Sequence, residues 1–419
     1  MKLSRLSTAS GTESLPYLSQ TSYVLKARMN LKLYILCFVL LIGSSSQLCA
    51  QSLLEPVHPP NETPNFRVLD NAKIKQMDAS VERALQWLAT QQRADGSFRS
   101  IRSGQPGVTA LCVMAFLAQG KTSDDREYGS VISKAIDFIC AQQKRNGLVA
   151  SISPHTVPIP RVSVAQHEQI TPATYSHAIG ALALAEAYGQ CTGEQSKRVA
   201  SVVEKAISAT VEMQGWRKQK GDKGGWRYLC KPHPEDSDLS VTGWMVMFLR
   251  SARNAGFDVP AESIDKAVAY MEGCFQKQTG TFSYVSQHPK SFTRGMAGAG
   301  VLAMAHAGKH QSKMAMQASD YILKSDFTKF NREAPCQVDW LNDRYNYSVF
   351  LCTQAMYQQG GKYWRQFYPP VVDAIVGAQD PDGSWPPEPR DRVFGNCYTT
   401  ALCVLTLSVS DQLLPIFQR

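Results

Sequence analysis

From about Ile74 onward, apolar residues recur every three to four positions, break off at turn signals and start again. Ala84, Leu85, Trp87 and Leu88 share one face of a first helix that ends at Gln91 and Gln92, and a second, more uniformly apolar helix covers 109–117. The same alternation continues as 132–143 with 174–188, 199–213 with 241–252, 264–275 with 293–307, 314–324 with 345–358, and 371–379 with 397–409. A helix with one apolar stripe lies at a surface, whereas one apolar all round is buried. Six helical hairpins are therefore expected, with the amphipathic helices outside and the apolar, Ala/Gly-rich ones inside. Strand signals are scarce, so the fold class is all-α. A short repeat array buries its ends most simply by closing into a ring.

A short phrase punctuates the hairpins. Gln92, Gly96 and Phe98 recur with the same spacing as Gln276, Gly280 and Phe282 and as Gln379, Gly383 and Trp385, and Gln143 with Gly147 is a truncated copy. Unit three carries Gly224-Gly225-Trp226 after an insertion, and unit five has lost the turn. Fixed-spacing self-similarity marks a repeat architecture. The glycine supplies the positive φ that ends the outer helix, the glutamine amide is placed to bond backbone groups left open there, and the aromatic ring packs over it, which together tie each outer helix to the next inner one. Asp95 and Asp382, before their glycines, read as turn residues.

These phrases, with Trp87-Leu88 before the first, resemble the repeat of squalene cyclases and protein prenyltransferase β subunits over about residues 75–410. The resemblance implies an α/α toroid and leaves the chemistry open, because one scaffold hosts many activities. Asp236 and Asp238, at the start of an inner helix, resemble the acid motif of squalene cyclases, with Leu239 in place of its third Asp and Ser240 in place of its Thr. A cyclase needs a protonated carboxylic acid facing an apolar cavity; otherwise such an Asp caps the following helix. No Asp-x-Cys pair of the prenyltransferase zinc site occurs, and Cys230, His233 and Asp236 lack paired ligand spacing, so neither metal nor cofactor is expected. Cys191 to Gln195 has one residue too many for a thioester motif.

Tyr175, His177, Trp226, Tyr228, Trp244, Tyr284, Phe292, Arg294, Arg344, Tyr345, Tyr347 and Tyr398 gather at turns and inner-helix starts, the expected mouth of the ring, as pocket wall or as packing. His177 and His306 read as cavity-lining or as satisfied core histidines. Arg294 and Arg344 are expected to hold an anion or to pair with Asp236 and Asp238. The first expectation is a ligand- or partner-binding toroid whose partner is a hydrophobic, isoprenoid-like molecule, a protein or a polysaccharide. The alternatives are a terpene cyclase-like enzyme with Asp238 as proton donor, and a carbohydrate-active enzyme.

Composition adjusts this picture only at the edges. The 419 residues are 44% hydrophobic and 19% charged, ample for one large core. Of the net charge of +9, residues 1–50 contribute five positive and one negative side chains, which leaves +5 for the body and no basic run suited to nucleic acid. Residues 1–50 form a leader: Lys32, the apolar run 33–42 and Leu48-Cys49-Ala50 have the order of a signal peptide, with Met29 an alternative start. Cleavage near Ala50 and export to a periplasmic or extracellular space are expected, with an uncleaved anchor as the alternative. Proline-rich residues 51–73 read as an extended linker and 74–419 as the toroid. The body's cysteines are expected to be mostly free and buried, with at most one or two disulfides.

Overall fold

The computed structural model describes residues 67–152, 164–228 and 237–418, of which 164–170 by backbone alone. The leader, most of the linker, Cys230, His233 and Asp236 lie outside them. Asp70 caps the first helix by accepting the amide of Lys73 at 2.8 Å, so the helix begins at Asn71, inside the expected linker. The hairpins pair α1 (Asn71–Thr90) with α2 (Gly107–Leu117), α3 (Gly129–Ala141) with α4 (Val164–Ala187), and α5 (Gly193–Gln214) with α6 (Leu239–Asn254). They continue as α7 (Ala261–Gly273) with α8 (Arg294–His306), α9 (Lys313–Leu323) with α10 (Tyr345–Gln359), and α11 (Gly361–Val376) with α12 (Asn396–Leu407).

The even-numbered helices form the inner ring. Each packs on the next, and α12 packs on α2, so the ring is closed and the protein is an all-α, α/α toroid. The division follows from sequence: α1 buries only the stripe Met77, Ser80, Val81, Ala84, Leu85 and Leu88, whereas every residue of α2 is buried. Small residues let the inner helices approach closely. A Cβ on Gly298 of α8 would lie 2.8 Å from the backbone nitrogen of Cys352 in α10, and one on Gly300 would lie 2.2 Å from the Phe282 ring.

The repeated phrase is a double latch: its aromatic residue ties the turn to the next inner helix, Phe98 N donating to Thr109 Oγ1 (3.0 Å) and Trp385 N to Thr400 Oγ1 (3.1 Å), and its glutamine joins neighbouring outer helices. Gln92 Nε2 donates to its own turn at Gly96 O (3.1 Å) and onward to Val131 O in α3 (2.7 Å). Gln143 does the same with Gly147 O and Val202 O, and Gln379 with Gly383 O and Ser80 O, which joins the last unit to the first. The turn glycine lies against the same neighbour one turn on: a Cβ on Gly96, Gly147 or Gly383 would sit 2.3, 2.3 or 2.6 Å from the carbonyl oxygen of Lys134, Lys205 or Arg83. Each of these glycines also has φ between +86° and +94°. An L side chain there meets both backbone strain and a backbone clash.

Two copies differ from expectation. In unit three the left-handed glycine is Gly224 (φ +93°) and not Gly225, and its glutamine is Gln214, which reaches Gly224 O (2.7 Å) and Ser263 O (2.8 Å) across the insertion. In unit four, Gln276 stays within its turn, donating to Cys274 O and Ser283 Oγ, and the turn closes on itself as β1 (Phe275–Gln276) against β2 (Thr281–Phe282). There the neighbouring helix stands off: a Cβ on Gly280 would find nothing nearer than 3.6 Å. The eight described cysteines are free thiols, all buried but Cys336.

Candidate functional site

The latches all lie at the end of the ring where the inner helices begin, and that end carries the chemistry. Asp238 is fully buried and caps α6, its Oδ1 accepting from Val241 N at 2.7 Å, while its Oδ2 lies 3.7 Å from Arg227 Nη1. Its amide donates to Trp226 O, which fixes the chain just before the helix. The Arg227 guanidinium in turn lies over the rings of Tyr228 (4.9 Å) and Tyr284 (5.2 Å). Through Oδ1 Asp238 caps the helix, and its Oδ2 lies towards Arg227.

A chain of hydroxyls surrounds it. Tyr175 OH donates to Ser240 Oγ (2.9 Å), Ser240 Oγ bonds Tyr347 OH, and Tyr228 OH bonds Tyr284 OH (2.8 Å). Burial first, then the charge of Asp238, pushes the phenols of Tyr175 and Tyr284 well above the usual range; burial likewise raises Tyr347. These hydroxyls therefore stay protonated and present donors and acceptors. Trp340, on the loop before α10, is 54% exposed and stands beside Tyr284 (centroids 6.2 Å) and His288 (5.8 Å).

Further round the same rim is a pair of buried carboxyls. Glu388 accepts the amides of Tyr345 (3.0 Å) and Asn346 (3.2 Å) at the start of α10, and Asp391 pairs with Arg344 Nη1 at 2.7 Å. Burial, with the charge of Asp391 adding to it, pushes the Glu388 carboxyl up to about 7, and burial also raises Asp391. Tyr398 lies beside them and is raised by burial and by both charges.

Other sequence-selected residues go to the scaffold. Trp226 is the latch aromatic of unit three, buried, with its amide on Thr242 Oγ1 and its indole on Thr210 O. His177 is buried and satisfied: its Nδ1 accepts from Val149 N (3.0 Å), its Nε2 meets Thr210 Oγ1 (3.0 Å), and burial holds it neutral at about 3. Arg294 is buried in an ion pair with Asp343 and also donates to Asp326 O and Arg332 O, pinning the long loop before α10. Trp244 stacks on Phe350 (5.8 Å), which meets Phe417 edge-on (5.9 Å), and these rings fill the axis. The void beside Trp244 and Tyr347 holds only about 10 Å³. His306 lines it from the far side. Tyr345 is buried, its hydroxyl on Phe327 O (2.9 Å). Phe292 packs edge-on against Tyr321.

The residues that sequence reasoning passed over are Arg227, Trp340, Glu388, Asp391 and Gln214. Arg227 and Trp340 sit in loops, and Glu388 and Asp391 open a short 3-10 turn (Pro389–Phe394), where no periodicity selects them. Gln214 was legible, being followed by a Gly-aromatic pair once the insertion is removed.

No protein-family model and no curated protein matches this chain. Among solved structures, a cellobiose 2-epimerase from Bacillus thermoamylovorans aligns at 13% identity over 81% of this chain and 99% of its own, with a TM-score of 0.56. A glycosidase variant aligns at 11% identity over 83% of this chain and 100% of its own, with a TM-score of 0.54. A type II terpene cyclase from Scytonema aligns at 15% identity over 82% and 99%, with a TM-score of 0.48. At such identities the likeness is one of fold. Among the described residues no helix is long and apolar enough to cross a membrane.

Proposed function

We propose that the protein is an exported binding toroid that holds a carbohydrate chain at the tyrosine-lined mouth of its inner ring, without hydrolysing it. The observation that carries this reading is the half-exposed Trp340 ring beside a rim of protonated, mutually hydrogen-bonded tyrosine hydroxyls. A sugar offers an apolar C–H face to an indole and a ring of hydroxyls to the phenols, so one surface serves both halves of the ligand. An isoprenoid fits less well, because the axis where an apolar chain would lie is filled by Trp244, Phe350 and Phe417. Hydrolysis would need two carboxyls flanking a bond in open space. Glu388 and Asp391 are instead turned onto a helix N-terminus and Arg344. The solved neighbours contribute the fold alone.

Isothermal titration calorimetry of the full chain with cello-, xylo-, malto- and chito-oligosaccharides tests the reading. One series is expected to bind saturably, with Trp340→Ala weakening it at least tenfold, about 1.4 kcal/mol. Absence of binding by every series, or affinity that survives Trp340→Ala, overturns it.

A further inference from the structure

The two ends of the ring differ in charge. Among the described residues, the stretches leading from outer to inner helices lie at the mouth (91–106, 142–152, 215–228, 237–238, 274–293, 324–344 and 377–395). They carry eighteen lysines and arginines against eleven aspartates and glutamates. The far-end stretches (118–128, 188–192, 255–260, 307–312, 360 and 408–418) carry three against five. Five of the mouth's acids, Asp222, Asp238, Asp343, Glu388 and Asp391, are buried, and none of its lysines or arginines is. The mouth therefore presents a positive face, and the excess is greatest beside Trp340. The 215–223 loop holds Arg217, Lys218, Lys220 and Lys223, while its one acid, Asp222, is turned inward and accepts from Gln287 Nε2 at 2.7 Å. Gln287 Nε2 also reaches Gln219 Oε1 (2.8 Å), which joins this loop to the 286–290 segment. That segment brings Lys290 and His288, whose ring meets Trp340. Lys220, Lys223 and Lys290 are exposed and pair with no carboxylate among the described residues. Asp339, next to Trp340, is exposed as well and leaves the patch positive.

We propose that the carbohydrate held at the mouth is an anionic polysaccharide, whose carboxylate or sulfate groups lie over Lys220, Lys223 and Lys290 while a sugar ring stacks on Trp340. This rests on the carbohydrate reading and narrows it. A loop that turns its carboxylate inward and its lysines outward concentrates negative ligands at the rim and repels positive ones. Ammonium groups on flexible stems suit charges spaced along a chain, whereas a single fixed anion calls for the planar arginine fork. An acidic peptide meets the same charge but lacks the sugar hydroxyls that the tyrosine rim can bond. A single-stranded nucleic acid calls for several exposed rings on which successive bases stack. Trp340 is the one exposed Trp, Tyr or Phe among the described residues.

The test is calorimetric titration of the full chain with matched pairs: oligogalacturonate beside its methyl ester, and sulfated cello-oligosaccharide beside the unsulfated form. The anionic member of at least one pair is expected to bind saturably and about tenfold or more tighter than its neutral partner, and the pair that does so shows whether carboxylate or sulfate is read. Raising salt from about 0.05 to about 0.5 M should erase that preference. Lys220→Glu, Lys223→Glu and Lys290→Glu together should also erase it while leaving the neutral member within about twofold, and Trp340→Ala should weaken both members. The same charge change at Lys75, Lys205 and Lys313, exposed on outer helices, is expected to leave the preference in place. If the neutral members bind as tightly as the anionic ones and Trp340→Ala weakens both, the carbohydrate reading stands and this proposal falls. No binding by any saccharide overturns both. Equal affinity for poly-glutamate or for single-stranded oligothymidylate, or a preference indifferent to the three mouth lysines, overturns the proposal as well.

Discussion

The two ends of the ring are built on different terms. At the mouth, the glutamine–glycine latches bind neighbouring outer helices through backbone carbonyls, and loops of irregular structure carry the polar groups. At the far end no repeat element does this work. The segment 409–418 crosses the ring instead, tied by Gln119 to Ser408 and Asp411, by Gln358 Nε2 to Phe417 O (2.9 Å), and by Ile416 N to the buried Glu186. One end is thus secured by a motif repeated around the circle, and the other by a single strap. The difference teaches that closure and ligand access are separable: the latches fix the ring without covering the mouth, while the strap seals the axis.

The sharpest way to break the comparison is at the closing latch. Gly383→Ala places a side chain in a left-handed position against Arg83 O, and a loss of about 3–5 kcal/mol is expected. Gly280→Ala, with open space around it, should cost about 1–2 kcal/mol. Urea unfolding of both variants measures the gap, and equal losses would mean that the latch does not bear on closure.

Next in size is the strap. Phe417→Ala removes the ring that ends the axial stack and should cost about 3 kcal/mol, while ligand affinity at the mouth stays within about twofold. A matching loss of affinity at the mouth would show the two ends to be coupled.

A smaller effect is expected from Glu186, whose carboxyl burial pushes up to about 7 against the bonds from Ser251 and Ile416. A raised acid holds its proton more tightly folded than unfolded, so its contribution is fully present below the ordinary glutamate range and is lost as pH rises towards 7. Wild-type stability should therefore fall between about pH 4.5 and 7, and Glu186→Gln should flatten that slope by about 1–2 kcal/mol. Glu388 titrates in the same window and is common to both proteins, so the difference between them isolates Glu186. An unchanged slope would remove the strap's proton dependence. Smallest in stability is Trp340→Ala, within about 0.5 kcal/mol because the ring is exposed, so a large drop in melting temperature would make it a packing residue.

The fold was legible in the sequence to the level of individual hairpins, because an amphipathic helix followed by an apolar one leaves a periodic trace and because a left-handed glycine marks the turn of each repeated phrase. The latch's partner was not legible: a glutamine does not say which of two neighbouring helices its amide meets. The site was legible only where tyrosines fall at inner-helix starts. Asp238 and Arg294 stand at inner-helix starts, yet their partners Arg227 and Asp343 are brought to them only by the folded chain. Trp340 left no trace at all, since one aromatic in a long loop resembles any other.

The central claim is that the rim, not the axis, receives the ligand. Indole fluorescence of the full chain, titrated in parallel with the oligosaccharide that binds best and with squalene, tests it most directly. A saturable change with the oligosaccharide, absent in Trp340→Ala, together with no response to squalene, is the expected result. A saturable response to squalene that persists in Trp340→Ala would contradict it.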